Sequence, residues 1–486
     1  MELKILAKNT LMLASPKVLK FLIGIVRTKL IALFLGITGT GIVNQLQMTI
    51  NEISAFTLTS LPEGMVKLIA QQNSINIDIE KTASIIKTYL MLLIPITIVI
   101  TVLGYVFASE MTMYIFGDLK YKLYFQIGFI ALPISIFSTT SYALLNAHKE
   151  IKSMALSEVA IIILNLIIFI PLIYFYRLTG GVVYVTLSFI VTFSVYAYFV
   201  RKNVFVKLNL SFTLIKKALY SSEYLKVLLG FISFGIIGGT YYIFTEITIR
   251  AIVVSELGID KLGIYAPITA WSSLFVGFIF PALRTYLFPR LSEAKSDGEI
   301  NAVLNDVFRL MTFVTLPFII VGISIRDWII PLFYSQEFME ASIYLPFHFA
   351  AILLTVWIYP FSQVFAPTGR LKIYLILGII GETTSLGLVY FLVPKFGLYG
   401  YLAKFTIAPF FVLLTYSIYF TVAIKFKLKK ENMNIIIYST LSVLLLLLFR
   451  NLQIYLQILG AGLLFSIVFL LKKQELDFLL NKIRRK

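Results

Sequence analysis

Residues 90–108 read LMLLIPITIVITVLGYVFA and hold no charged side chain, which is the length and character a helix needs to cross a hydrocarbon layer about 30 Å thick. In that layer the backbone must satisfy its own hydrogen bonds, so such a run reads as a helix. Comparable runs stand at Ile127–Leu145 and Leu441–Leu471, and others recur along the whole chain. The composition is 59% hydrophobic and 14% charged, where a soluble domain carries about 25% charge. The expected fold class is therefore an all-α membrane protein. The first run, Leu11–Leu35, is too long for a signal peptide and precedes no small-residue cleavage site, so it is expected to be a retained span.

Apolar runs punctuated by Pro, Gly and charge give about 14 transmembrane helices. They lie near 10–35, 40–61, 85–108, 122–146, 152–176, 179–200, 227–254, 262–288, 310–333, 342–366, 371–393, 398–423, 433–450 and 453–471. Basic residues test the count, because one missed helix would invert every later loop. With both termini cytoplasmic, about 31 of the 42 Lys and Arg fall inside and about 7 outside. Inside clusters include Lys67, Lys81 and Lys87, then Arg201, Lys202, Lys207, Lys216, Lys217 and Lys226, and the tail Lys472–Lys486. Topology thus accounts for the net charge of +18 better than nucleic-acid binding does, and no nucleic-acid partner is expected. With no cysteine, disulfides and thiolate chemistry are excluded.

The chain also repeats itself. At a spacing of about 220, Tyr124 matches Tyr344, Phe129 matches Phe349, Gly180 matches Gly400 and Tyr196 matches Tyr416; at about 222, Leu35-Gly36-Ile37 faces Leu257-Gly258-Ile259 and Gly41 faces Gly263. The expected organisation is two parallel six-helix repeats plus two C-terminal helices. Its parts are a bundle over 1–200, a basic cytoplasmic linker over 201–226, a second bundle over 227–424, and two additional helices with a basic tail over 425–486. Duplicated bundles of even helix number suit alternating access, the halves rocking about a central substrate.

A charge inside a span costs about 2.5–3.5 kcal/mol or more, so those that persist need a wet or paired setting. Arg27 and Lys29 lie in the first span, Arg250 in the seventh and Lys404 in the twelfth. Superposing the repeats brings Arg27 and Arg250 within one residue of each other, which reads as a cationic pair for an anion such as a lipid phosphate or pyrophosphate. The alternatives are that Lys29 and Lys404 snorkel to an interface and that Arg250 pairs with Glu246 four residues earlier. Glu52 and Glu382 are candidates for ion coupling; Glu246 is a third, although neutralising Arg250 is the favoured reading for it. Tyr241, Tyr242 and Tyr265 would contact a glycan, or else serve as ordinary interfacial aromatics. No Gly-Lys dipeptide supports a phosphate-binding loop, and His148 and His348 are isolated from metal-ligand spacings, so neither cofactor, metal nor catalytic residue is expected.

Several stretches carry a family pattern. They are ALLNAHKEIK at 143–152 and LTGGV at 178–182, then IPLF at 330–333, FAPTGRLK at 365–372 and FGLYG at 396–400, with FPRLS closing at Ser292. Over about residues 5–425 the chain resembles the Wzx-type oligosaccharide-lipid flippases, polysaccharide transporters of the multidrug, oligosaccharidyl-lipid and polysaccharide exporter superfamily. The resemblance implies a flippase for undecaprenyl-pyrophosphate-linked oligosaccharides in the bacterial plasma membrane, serving O-antigen or capsule synthesis. Arg27 and Arg250 would hold the pyrophosphate, with Lys29 and Lys404 in support. It further implies driving by an ion gradient or the membrane potential, contact with membrane lipids, and a polysaccharide polymerase and chain-length machinery as partners. The competing readings are a multidrug or cation exporter of the same superfamily, and a polymerase or glycosyltransferase.

Overall fold

The computed structural model describes residues 2–58, 61–73, 78–294 and 296–467. The expected basic tail and the end of the last expected span, from residue 468 on, lie outside the described residues. The described chain is helical without strands, and ten of its helices are long and apolar enough to cross a membrane. Their outward faces carry what water would reject: on α3 (Ile79–Val106), Ile98, Val99, Val102 and Val106 are all exposed. The chain divides into two compact units, 1–266 and 267–486.

In the first unit α1 (Glu2–Leu58) changes direction at Gly36, whose φ of 64° and ψ of −165° lie in a region essentially reserved for glycine. Thr40 Oγ1 donates to the Gly36 carbonyl at 2.6 Å, satisfying a group the bend frees. The expected spans 10–35 and 40–61 are the two limbs of this helix. After α2 (Leu61–Asn73) and α3 come α4 (Ala108–Phe116), α5 (Lys122–Ala147) and α6 (Ile151–Val200). α6 breaks at Arg177 (φ 49°, ψ −125°), again between two expected spans, and the Arg177 guanidinium rests 4.9 Å over the Phe34 ring. The stretch after the second expected span, where Lys67 counts among the inside basic residues, is the helix α2. Leu61, Met65, Leu68 and Ile69 recur at helical spacing and are buried, while Glu63 and Lys67 stay exposed. They join Leu46, Ile50, Tyr89, Phe125 and Val185 in one core. A short α7 (Phe212–Lys217) leads to α8 (Ser222–Leu257), which packs on α1, α2, α3 and α4. Gly258, with φ 86°, separates it from α9 (Ile259–Glu293).

The second unit begins within α9 and continues with α10 (Asp297–Ser324), α11 (Arg326–Phe333), α12 (Ala341–Val364), α13 (Leu371–Phe396), α14 (Leu398–Ile424), α15 (Lys430–Leu448) and α16 (Gln453–Ser466). Phe308, Phe361 and Phe420 fill its core. α15 is tied to α10 through amides: Asn432 Nδ2 donates to the Asn305 carbonyl at 2.7 Å, and Asn305 Oδ1 accepts from the Lys429 amide at 2.8 Å. A buried amide with its bonds made fixes register where apolar packing alone would allow sliding.

Close approaches recur in both units. A Cβ on Gly104 would lie 2.2 Å from the Phe129 ring, and one on Gly322 would lie 2.4 Å from the Phe349 ring. Likewise a Cβ on Gly180 would meet the Leu172 carbonyl at 1.9 Å, and one on Gly400 the Leu392 carbonyl at 2.3 Å.

Candidate functional site

Within the first unit, the polar side chains singled out inside spans fall in two settings, one around Arg250 and one around Arg27. α8 carries Arg250 one turn after Glu246, and both are buried. Across the helix packing, the Arg250 guanidinium forms a two-pronged pair with Glu52 of α1: Nη1 donates to Oε1 at 2.6 Å and Nη2 donates to Oε2. Glu246 Oε2 lies 3.8 Å from Nη1. Glu246 is thus a second carboxylate beside Arg250, while the tighter partner comes from 198 residues away. In this arrangement Arg250 is occupied, and an anion reaches it only if Glu52 withdraws or takes up a proton.

Arg27 is in a different setting. It is half-buried on the first limb of α1, where Nη1 donates to the Tyr184 hydroxyl at 3.4 Å and the guanidinium carbon lies 5.8 Å from that ring's centroid. Tyr184 is itself fixed by Ile31, Phe169 and Ile173. No carboxylate pairs with Arg27 among the described residues, and its buried Nε has no hydrogen-bond partner there. A guanidinium held by a phenol and an aromatic face keeps most of its donors for a ligand. Sequence reasoning missed Tyr184, although a signal existed: the repeat spacing of about 220 places it opposite Lys404.

Lys404 is half-buried on α14 with its ammonium 5.1 Å from the Phe405 ring centroid. Lys29 on α1 and Glu382 on α13 are also half-buried. Of the three tyrosines, Tyr242 is exposed, Tyr241 half-buried, and Tyr265 only 2% exposed. Glu158, another carboxylate inside a span, accepts from the Tyr196 hydroxyl at 2.5 Å. Tyr196→Phe would strand that carboxylate, and a loss of about 1.5–3 kcal/mol in thermal unfolding of the purified protein is the expected result. Outside the spans, burial holds the His148 imidazole below its ordinary value, partly offset by Glu150. Among the described residues no group of three His, Asp or Glu side chains is placed to hold a metal ion.

Residues 50–343 match the model of a family described as polysaccharide biosynthesis protein. A Shigella flexneri protein named "Putative O-antigen transporter" is 30% identical over 157 residues, 31% of this chain, and the match spans 36% of that relative's length. The fold is shared with an inward-facing multidrug resistance MATE family transporter of the MOP superfamily, at TM-score 0.72 and 14% identity over 84% of this chain and 94% of the other. It is shared also with the lipid II flippase MurJ in an inward closed conformation, at TM-score 0.68 and 16% identity over 94% and 99%. A MOP superfamily transporter from Pyrococcus furiosus, described for the reverse polarity of its binding pocket, matches at TM-score 0.62 and 15% identity over 86% and 96%.

Proposed function

The chain belongs to the family of polysaccharide biosynthesis proteins, and from that premise we propose that it is a flippase carrying undecaprenyl-pyrophosphate-linked oligosaccharide from the inner to the outer leaflet of a bacterial plasma membrane by alternating access. The observation that carries the reading is Arg27, a guanidinium inside a membrane helix whose described partner is a phenol rather than a carboxylate. Such a group is suited to a pyrophosphate and ill-suited to a cationic drug, which counts against the exporter reading. Arg250 is the second phosphate ligand, available once Glu52 releases it, and this makes Glu52 the coupling group. Lys29 and Lys404 support the anion, Tyr241 and Tyr242 meet the glycan, and Glu382 is a further coupling candidate. Supporting about 14 spans in two repeats are the bends at Gly36 and Arg177 and the paired close approaches of Gly104 with Gly322 and Gly180 with Gly400. Both termini are cytoplasmic in this reading, and the flipped units pass to a polymerase and its chain-length machinery.

Arg27→Ala is expected to abolish surface polysaccharide while membrane levels of the protein stay unchanged, and Arg27→Lys to restore part of it. Normal polysaccharide in the alanine variant would sink the assignment. Glu52→Gln should leave Arg250 accessible and make flipping in reconstituted vesicles insensitive to an imposed ion gradient; a variant that still follows the gradient would remove Glu52 from coupling.

A further inference from the structure

Between the end of α6 at Val200 and the start of α8 at Ser222, the chain carries Arg201, Lys202, Lys207, Lys216 and Lys217 and no Asp or Glu. One side of this segment is anchored: Val204, Leu210 and Ile215 are buried in the core of the first unit. The other side is apolar and uncovered, with Val206 64%, Phe212 76%, Leu219 83% and Tyr220 60% exposed. Of the five cations, Lys207 is bound to Glu150 at 2.5 Å; the other four have no carboxylate partner among the described residues.

The segment is also held at a defined depth. Lys87 Nζ of α3 donates to the carbonyls of Lys216 at 2.9 Å and Ala218 at 2.5 Å, Ser84 Oγ donates to the Leu219 carbonyl at 2.6 Å, and the Ser221 amide donates to Thr88 Oγ1 at 3.2 Å. Ser84, Lys87 and Thr88 lie roughly 8–14 Å along α3 from its start at Ile79, at about 1.5 Å per residue, and α3 is itself long and apolar enough to span. A strand of chain clamped there, between the exit of one span and the entry of the next, sits where acyl chains meet headgroups. Exposed Phe, Leu and Tyr are stable at that depth, and cations beside them face phosphates.

We propose that residues 201–221 form a foot on the cytoplasmic leaflet that seats Phe212, Leu219 and Tyr220 among lipid chains and recruits anionic phospholipid through Arg201, Lys202, Lys216 and Lys217. Charge complementarity selects the anionic headgroup, and the clamp on α3 supplies the depth. This surface is independent of the Arg250 pair and of what the chain transports. Because the chain has no cysteine, Phe212→Cys and Leu219→Cys each give a single spin-labelling site in the full-length protein. In nanodiscs of phosphatidylcholine with phosphatidylglycerol, both labels should relax with lipid-soluble oxygen rather than with an aqueous nickel chelate. In the same discs, Lys202→Gln with Lys216→Gln and Lys217→Gln should lower phosphatidylglycerol retained on the protein, read by native mass spectrometry, by on the order of tenfold or more. Labels reached by the aqueous chelate would overturn the proposal and leave the apolar side to a protein partner, and unchanged phosphatidylglycerol retention would overturn the recruitment of anionic lipid.

Discussion

Arg250→Ala should destabilise the protein by about 3–5 kcal/mol, because it removes a cation paired with two carboxylates in the buried cluster. Glu52, with two oxygens on the guanidinium, and Glu246, at 3.8 Å, would both lose that partner. Thermal unfolding followed by size-exclusion fluorescence in detergent measures the loss. Replacing the pair by apolar groups, Arg250→Met with Glu52→Leu, should return the part of the stability lost at Glu52, since well-packed apolar side chains often equal or exceed a buried ion pair, while Glu246 still loses the guanidinium. The same double variant should not transport. A double variant as unstable as the single one would show that the pair is not what holds α8 to α1, and one that still flips substrate would remove Arg250 from the proposed phosphate ligands.

The second large effect is expected at Gly263. A Cβ there would lie 2.2 Å from the Ile37 carbonyl oxygen, and one on Gly41 would lie 2.8 Å from the Ile259 carbonyl oxygen. In both cases the obstacle is backbone, so no rotamer change relieves it. Gly263→Ala is expected to cost on the order of 3 kcal/mol, with Gly41→Ala costing less because its clash is milder. Gly24→Ala makes the control: nothing lies within 4 Å of a Cβ at that position, and a helical Gly→Ala change in open space gains up to about 1 kcal/mol. Comparing the three unfolding temperatures checks this, and equal effects at Gly24 and Gly263 would rule out a close helix crossing.

Much of the molecule was legible before any helix was placed. The apolar runs at 122–146 and 371–393 correspond to α5 and α13 within a few residues, and 85–108 to all but the first turn and a half of α3, because partition into lipid depends on composition over about 20 residues and little on neighbours. The family resemblance was legible too, carried by loop and bend patterns such as ALLNAHKEIK and LTGGV. α2 lies outside the expected spans because Glu63 and Lys67 interrupt its apolar run, and these two form the exposed side of an amphipathic helix. The reading of Arg250 found Glu246 through its spacing of four residues and could not find Glu52, which reaches Arg250 only because α1 and α8 cross with the right faces together.

Read along the chain alone, the residues place it in a membrane as a string of helices, mark its family and pick out which ionisable groups violate the apolar rule. These are one-dimensional properties, set by hydropathy and charge summed over a window. Tertiary structure alone decided what each violating charge does. Arg27 and Arg250 fall one residue apart at the sequence spacing of about 222, yet one meets a tyrosine and the other two carboxylates. Each residue turns a helix by about 100°, so a charge's partners depend on rotational phase and on which helix lies alongside. The Gly41 and Gly263 crossing follows the same logic: the sequence marked the two glycines as equivalent, and only packing set each against the other's segment.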